Sequence, residues 1–368
     1  MKKVLILAVL ATVTIAAFAW AGPKVAIVQG DEKVLKDSTS FDKWRGEAGN
    51  PRCPTGGRTL DYTWPQEWTK ESEKEVDRMV REAVKLAGGW PVKRGDTVFI
   101  KVSVNGDLWY FQCLGLDSNN HLLCYMTDPR VVRTVALLCK ESGAKKIYIG
   151  EAPGLADAYS VMRRWGMEVA AKEVGAELVG LNDVPWDWYK APHALAGIPE
   201  YAIPKVIMEA NKVISVSPLK THELAGTTCS MKNVAVGVVP NNVYGSLKLG
   251  LPHNKMDKVI ADICEIVGID YAVLCGIYGQ EGQGPTRGNP VYHGIVICGS
   301  DPVAVDYIGS AVMGFMPERF GYLIRGEEIG LGTTKNITVV GKQVEEVMIH
   351  YKEPPEHAPG AWSDVQGW

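Results

Sequence analysis

The stretch Val213-Ile-Ser-Val-Ser-Pro-Leu-Lys-Thr-His222 decides how this chain is read. Its first five residues form a short, nearly apolar run of the kind that makes a strand buried on both faces. The strand is expected to end at Ser217. The polar group Lys220-Thr-His222 then stands just past its carboxyl end.

The same pairing recurs on either side. Thr97-Val-Phe-Ile-Lys-Val102 reads as a strand and is followed by Asn105-Gly106. Ile147-Tyr-Ile149 is followed by Glu151-Ala-Pro-Gly154, Tyr271-Ala-Val-Leu-Cys275 by a glycine-rich loop holding Glu281, and Gly294-Ile-Val-Ile-Cys298 by Asp301. Further strands are expected at Lys24–Gln29, Glu177–Leu181 and Ile337–Val340. Between them lie helical patterns: Val76, Met79, Val80, Ala83 and Val84 recur at helical spacing, and Gly88-Gly89 stops that helix. Asp128 caps a helix that opens on Pro129. Residues 160–174, 257–267 and 302–313 complete the set. Short apolar strands alternating with helices predict an α/β fold, a largely parallel sheet with helices on both faces, plus an irregular N-terminal insertion and a C-terminal tail. In open parallel sheets ligands bind outside the strand carboxyl ends, so five polar groups at strand ends point to one cleft.

The chain has 368 residues, 46% hydrophobic and 22% charged, enough for a large core and incompatible with wholesale disorder. Lys plus Arg total 39 and Asp plus Glu 42, a formal charge of −3, so no nucleic-acid partner is expected. Residues 1–21 read as a signal peptide: two lysines, the apolar run Val4 to Phe18, and Ala19-Trp20-Ala21 as a small-residue cleavage pattern. The expectation is an exported protein, periplasmic or extracellular, with no stable membrane insertion once the signal is removed. Residues 22–94 then hold a first strand, an excursion rich in proline and glycine, and a helix. Residues 95–342 form the core domain, and residues 343–368 a tail.

The eight cysteines show no C-x-x-C spacing, so no iron–sulfur cluster or zinc ribbon is expected. Cys113 and Cys124 bracket a polar loop and are the pair that a disulfide could close in an oxidising compartment. Cys264, Cys275 and Cys298 lie in apolar runs and read as small buried hydrophobes.

At the cleft, Lys220 and Lys232 are cations suited to phosphate or carboxylate. Gly226-Thr-Thr-Cys-Ser-Met231 between them offers hydroxyl and backbone donors and resembles an anion cradle. His222 and His253 could ligate a metal or move protons, and Glu281 could act as base or ligand. Asp301 is better explained as a helix cap, and Asp306, inside an apolar helix, is costly unless paired. No nucleophile elbow, zincin motif, Walker loop or dinucleotide fingerprint stands in context.

Taken together, Ser217-Pro-Leu-Lys-Thr-His222, Ser230-Met-Lys-Asn233, Glu281-Gly-Gln-Gly-Pro285 with Gly288-Asn-Pro290, and Asp301-Pro-Val-Ala-Val-Asp306 resemble domain of unknown function family 362. Thr127-Asp128-Pro129-Arg130-Val131 and Gly143-Ala144-Lys145-Lys146 fit it too, so the resemblance covers roughly residues 95–340. Relatives often carry ferredoxin-type clusters, and this chain departs from them by lacking the cysteines. It also departs at the first strand end, where Lys101-Val-Ser-Val-Asn105 stands in place of Lys-x-Asn. The resemblance implies a shared pocket of Lys220, His222, Lys232, Asn233, Glu281, Asp301 and Asp306 but supplies no reaction.

Two readings of function follow. The first is an exported protein that binds or converts a small anionic ligand. Lys220, Thr221, Lys232, Asn233, Asn105, Glu151, Asp301 and Asp306 would hold it, and His222 with Glu281 would handle protons. A divalent metal could sit on His222, His253 and Glu281. The second is a non-catalytic binding or self-assembling protein, drawn from the aromatic groups Trp64, Trp68, Trp109-Tyr-Phe111, Trp186-Asp-Trp-Tyr189 and Trp362 to Trp368.

Overall fold

The computed structural model describes residues 22–36, 68–106 and 123–354. The leader, Cys53, Cys113, Trp64, Trp109 to Phe111 and the tail tryptophans lie outside these residues. Within them Cys124 is buried, and no helix is long and apolar enough to cross a membrane.

The strands in chain order are β1 (Lys24–Gln29), β2 (Thr97–Lys101), β3 (Lys146–Glu151), β4 (Glu177–Gly180), β5 (Trp186–Lys190), β6 (Glu200–Pro204), β7 (Lys212–His222), β8 (Gly226–Thr228), β9 (Tyr271–Glu281), β10 (Asn289–Gly299) and β11 (Thr338–Gly341). Nine of them form one sheet in the order β11-β1-β10-β9-β7-β2-β3-β4, with β8 pairing β7, while β5 and β6 make a separate ribbon. Pairing is parallel throughout the run β9-β7-β2-β3-β4 and between β1 and β11. Within this sheet only β10 and the short β8 run against their neighbours, and the β5–β6 ribbon is antiparallel. The α/β class and the largely parallel sheet are as the strand pattern predicts.

Helices cover both faces. The amphipathic helix Lys70–Ala87 buries Val76, Met79, Val80, Ala83 and Val84, is capped by Thr69, and ends at Gly88 in a left-handed conformation only glycine adopts cheaply. Asp128 caps the helix Pro129–Glu141 by accepting from the Arg130 N–H. These two helices pack on one side with the strand residues Val98, Ile100, Ile214, Val216 and Val273. On the other side, Ser230–Val238 and Met256–Val267 pack with Phe99, Val179 and Val213.

Three differences from the sequence expectation matter. Strand β7 runs on through Pro218 to His222. Its pairing with β2 has already ended at Ser215, and its pairing with β9 shifts between Pro218 and Lys220, so the missing proline N–H breaks no ladder bond with β2. The pattern at 160–174 is two helices, Ala158–Arg164 and Met167–Val174, because Gly166 takes a left-handed φ of 78°. The aromatic group at 186–189 lies on β5. Trp186 and Tyr189 pack against the core, while Trp188 is 46% exposed.

Candidate functional site

The sheet places a cavity of about 380 Å³ at the carboxyl ends of its central strands β2, β3 and β7. Strand alternation decides what enters it. Lys220 and His222, two residues apart on β7, line the cavity, whereas Thr221 between them does not. The Thr221 hydroxyl donates instead to the carbonyl of Gly282 at 2.8 Å and latches the end of β7 to the turn after β9.

Lys220 is almost wholly buried; its ammonium donates to the Tyr125 carbonyl at 2.9 Å and lies 4.3 Å from that ring's centre. Burial, with Lys232 nearby, pushes its pKa down to about 7. His222 accepts the Leu224 N–H on Nδ1 at 3.0 Å. That bond fixes the neutral ring with its proton on Nε2, and burial beside Lys232 and Lys220 keeps the imidazole well below its ordinary pKa. His253, also on the cavity wall, has the opposite arrangement: Nδ1 lies 2.8 Å from the Leu251 carbonyl, so that nitrogen carries the proton and Nε2 is left as an acceptor.

Lys232 stands in the first turn of the helix Ser230–Val238 and lines the cavity. Burial lowers its pKa to about 8, and it has neither hydrogen bond nor ion pair among the described residues. Lys248 is 3% exposed, reaches only the Asn182 side-chain oxygen at 3.2 Å among the described residues, and is pushed down to about 7 by burial. Arg287, itself exposed, reaches the cavity from the loop after β9. The Thr228 hydroxyl, buried on β8 opposite Lys220, has no hydrogen-bond partner among the described residues. Against these cations the lining holds two carboxylates, Glu151 and Glu223.

Glu151 is already committed. It accepts the N–H groups of Val104 and Ala152, both at 2.9 Å, and pairs with the fully buried Lys101 at 3.0 Å. Lys101 also donates to the Asn233 side-chain oxygen at 3.0 Å, and the Asn233 amide donates to the Lys101 carbonyl and the Ser215 hydroxyl. A Cβ on Gly237 would collide with the Lys101 ammonium and crowd Glu151, so the helix approaches this pair only with glycine there. Glu223 is bonded by Gln283. The surplus in the cavity is therefore positive.

The expected residues divide as follows. Lys220, His222, Lys232, Asn233, Asn105, Glu151 and His253 all line one cavity. Asn233 and Glu151, however, spend their polar atoms on Lys101 and the strand ends, and Asn105 accepts the Gly154 N–H at 2.5 Å. Glu281 does not join them. It pairs with Asn289 at the end of β9, one step out of phase with Gln280, which pairs Lys220, so its side chain takes the other face. There it accepts the Lys352 N–H at 2.9 Å. Among the described residues no three His, Cys, Asp or Glu side chains converge on a metal position, so the trio His222, His253 and Glu281 does not form.

Asp301 is placed elsewhere by strand direction. It follows β10, which runs against β9, so its strand end lies at the opposite rim from the cavity. It caps the helix Pro302–Val312 through the Ala304 N–H and also accepts from Thr333 N–H. Asp306 has a related task. Wholly buried, it accepts from Ser230 N–H at 2.7 Å, Ser230 hydroxyl at 2.5 Å and Met231 N–H at 2.9 Å, capping the helix that carries Lys232. Burial raises its pKa to about 7 while these bonds oppose the rise. Of the donors expected in the segment 226–231, the N–H groups of Ser230 and Met231 are thus taken by Asp306, while Thr228 on β8 lines the cavity.

Sequence reasoning passed over Lys101, Lys248 and Arg287, and included Thr228 only among the hydroxyl donors of 226–231. Lys101 closes a strand next to a strand-end polar group and was legible on that ground. Lys248 stands between two leucines with no pattern to mark it.

A family model described as Domain of unknown function (DUF362) matches residues 114–311. The thylakoid-associated protein sll1697 of Synechocystis sp. is 25% identical over 248 residues, 66% of this chain and 71% of that protein. A structure of the lactate racemase apoprotein from Thermoanaerobacterium thermosaccharolyticum aligns at 12% identity with a TM-score of 0.37, over 65% of this chain and 55% of that one. The match thus spans little more than half of the racemase chain.

Proposed function

This chain belongs to the family described as Domain of unknown function (DUF362), and on that premise we propose that it binds a small anion, carboxylate or phosphate, in the strand-end cavity. The observation that carries this reading is the group Lys220, Lys232 and Lys248. They are three lysines gathered around one cavity, with burial lowering the pKa of each and the nearest carboxylate already paired. Charges held out of water without counterions are costly, and an anion supplies what they lack. The Thr228 hydroxyl and the Nε2–H of His222 add neutral donors, and these two side chains orient the ligand. His253 offers an acceptor for a ligand hydroxyl or a protonated acid. Conversion of the ligand, where it occurs, rests on His222 and the lysines; Glu281 has no part in it.

Calorimetric titration with inorganic phosphate and with acetate tests the reading. The intact protein is expected to bind one of them, and Lys232→Ala to weaken that binding by at least about tenfold, the usual worth of a charge-assisted bond. Because Lys232 has no bond among the described residues and its charge is a cost to the anion-free fold, the variant should melt no lower than the parent. Failure of the parent to bind these anions or any alkyl phosphate or carboxylate would end the proposal.

A further inference from the structure

We infer that the anionic group of the ligand is carried on an apolar chain or ring, so that the ligand is amphiphilic; the inference rests on the anion-binding reading above. The cavity wall is of two kinds. Beside the cations and donors stand Leu224, Val236, Leu247, Leu249 and Met256. Two of these are exposed to an extent unusual for leucine, Leu247 at 45% and Leu249 at 69%.

Their exposure comes from the backbone. Leu247 and Lys248 both take left-handed φ values, 55° and 57°, in a chain where only four non-glycine residues among those described do so. Side chains resist that conformation, and two in succession are held only because surrounding bonds require it. Leu247 N–H donates to the Gly154 carbonyl at 3.0 Å, and Leu251 N–H to the Lys248 carbonyl at 3.0 Å. The result is a segment in which Lys248 is buried while its two leucine neighbours stay in solvent on the same cavity wall. Gly154 lies against the Cα and Cδ2 of Leu247, and the next residue, Leu155, is 45% exposed.

A free inorganic anion has no use for such a rim. An anion with an apolar body would lay its charge among Lys220, Lys232 and Lys248 and its body against Leu247 and Leu249. Removing that apolar area from water adds affinity in proportion to the area covered.

The test is a homologous series of straight-chain alkyl phosphates, methyl, butyl and octyl, with the matching carboxylates, titrated against inorganic phosphate and acetate. Affinity is expected to rise roughly fourfold for each methylene that reaches the rim. Leu249→Ser should flatten that rise while leaving inorganic phosphate binding unchanged, since phosphate has no apolar body to lie against that side chain. Equal affinity for all members of both series would overturn the inference while leaving anion binding intact. Absence of binding for inorganic phosphate, acetate and every alkyl anion would instead overturn the parent reading.

Discussion

Lys101 has no solvent exposure and one carboxylate, Glu151, within 3.0 Å. The pair also holds Asn233, and through it the helix that bears Lys232, so it supports the site without facing a ligand. Removing one member leaves the other charged and buried. Lys101→Met is expected to destabilise the fold by about 3–5 kcal/mol, and the double variant with Glu151→Gln by less than the single one. Denaturant unfolding of the parent, both singles and the double reads this directly. Simple additivity of the two losses would show that the residues do not act as a pair. The sequence places Glu151 at a strand end and thus in the site, but it gives no sign that the carboxylate is already satisfied. Burial and partners are properties of three strands brought together, and no single strand contains them.

Among the elements, the helix Ser230–Val238 matters most, because it presents Lys232 and Asn233 and has its start held by Asp306 from the helix Pro302–Val312. Asp306→Ala leaves two N–H groups and a hydroxyl without their acceptor. A loss of about 1–2 kcal/mol is expected from the missing cap, with more from the buried vacancy. Anion affinity should fall too, although Asp306 lies outside the cavity lining; a variant with lower melting temperature but unchanged phosphate affinity would sever that link. Most elements were legible from periodicity: β1, the helix before Gly88 and the Asp128 cap stand where the sequence puts them. The strand ends were not: β7 runs on to pair with β8, and β9 and β10 run on into a hairpin with each other, through proline, glycine and polar residues that carry no apolar strand pattern. That is why Lys220 and His222 lie on a strand and alternate with Thr221, when they were expected on a loop past its end.

For the whole molecule, the gathered lysines couple stability to pH. Lys220 and Lys248 are pushed down to about 7 and Lys232 to about 8, from an ordinary value of 10.5. Between those values and 10.5 the unfolded chain binds more protons than the folded one, so the stability of the anion-free protein rises with pH across that window. A bound anion favours the charged lysines. Binding near the top of the window therefore takes up protons, and affinity falls as pH climbs. Titration in two buffers of different ionisation enthalpy measures the uptake; proton release on binding would contradict the assignment of these lysines as the anion's partners.

The sequence by itself determined the α/β class, the parallel character of the sheet and the presence of Lys220, His222 and Lys232 in one cleft. Each follows from local hydrophobic period or from the rule that parallel strands open their ligand sites at one rim. Tertiary structure alone decided that Asp301 and Glu281 stand outside it and that Lys101 and Lys248 stand within or behind it. The physical reason is direction and phase. A strand's carboxyl end reaches the common rim only if it runs with its neighbours, and a side chain faces the cavity only on alternate residues. Both depend on how the strands pair, β10 back against β9 and β9 alongside β7.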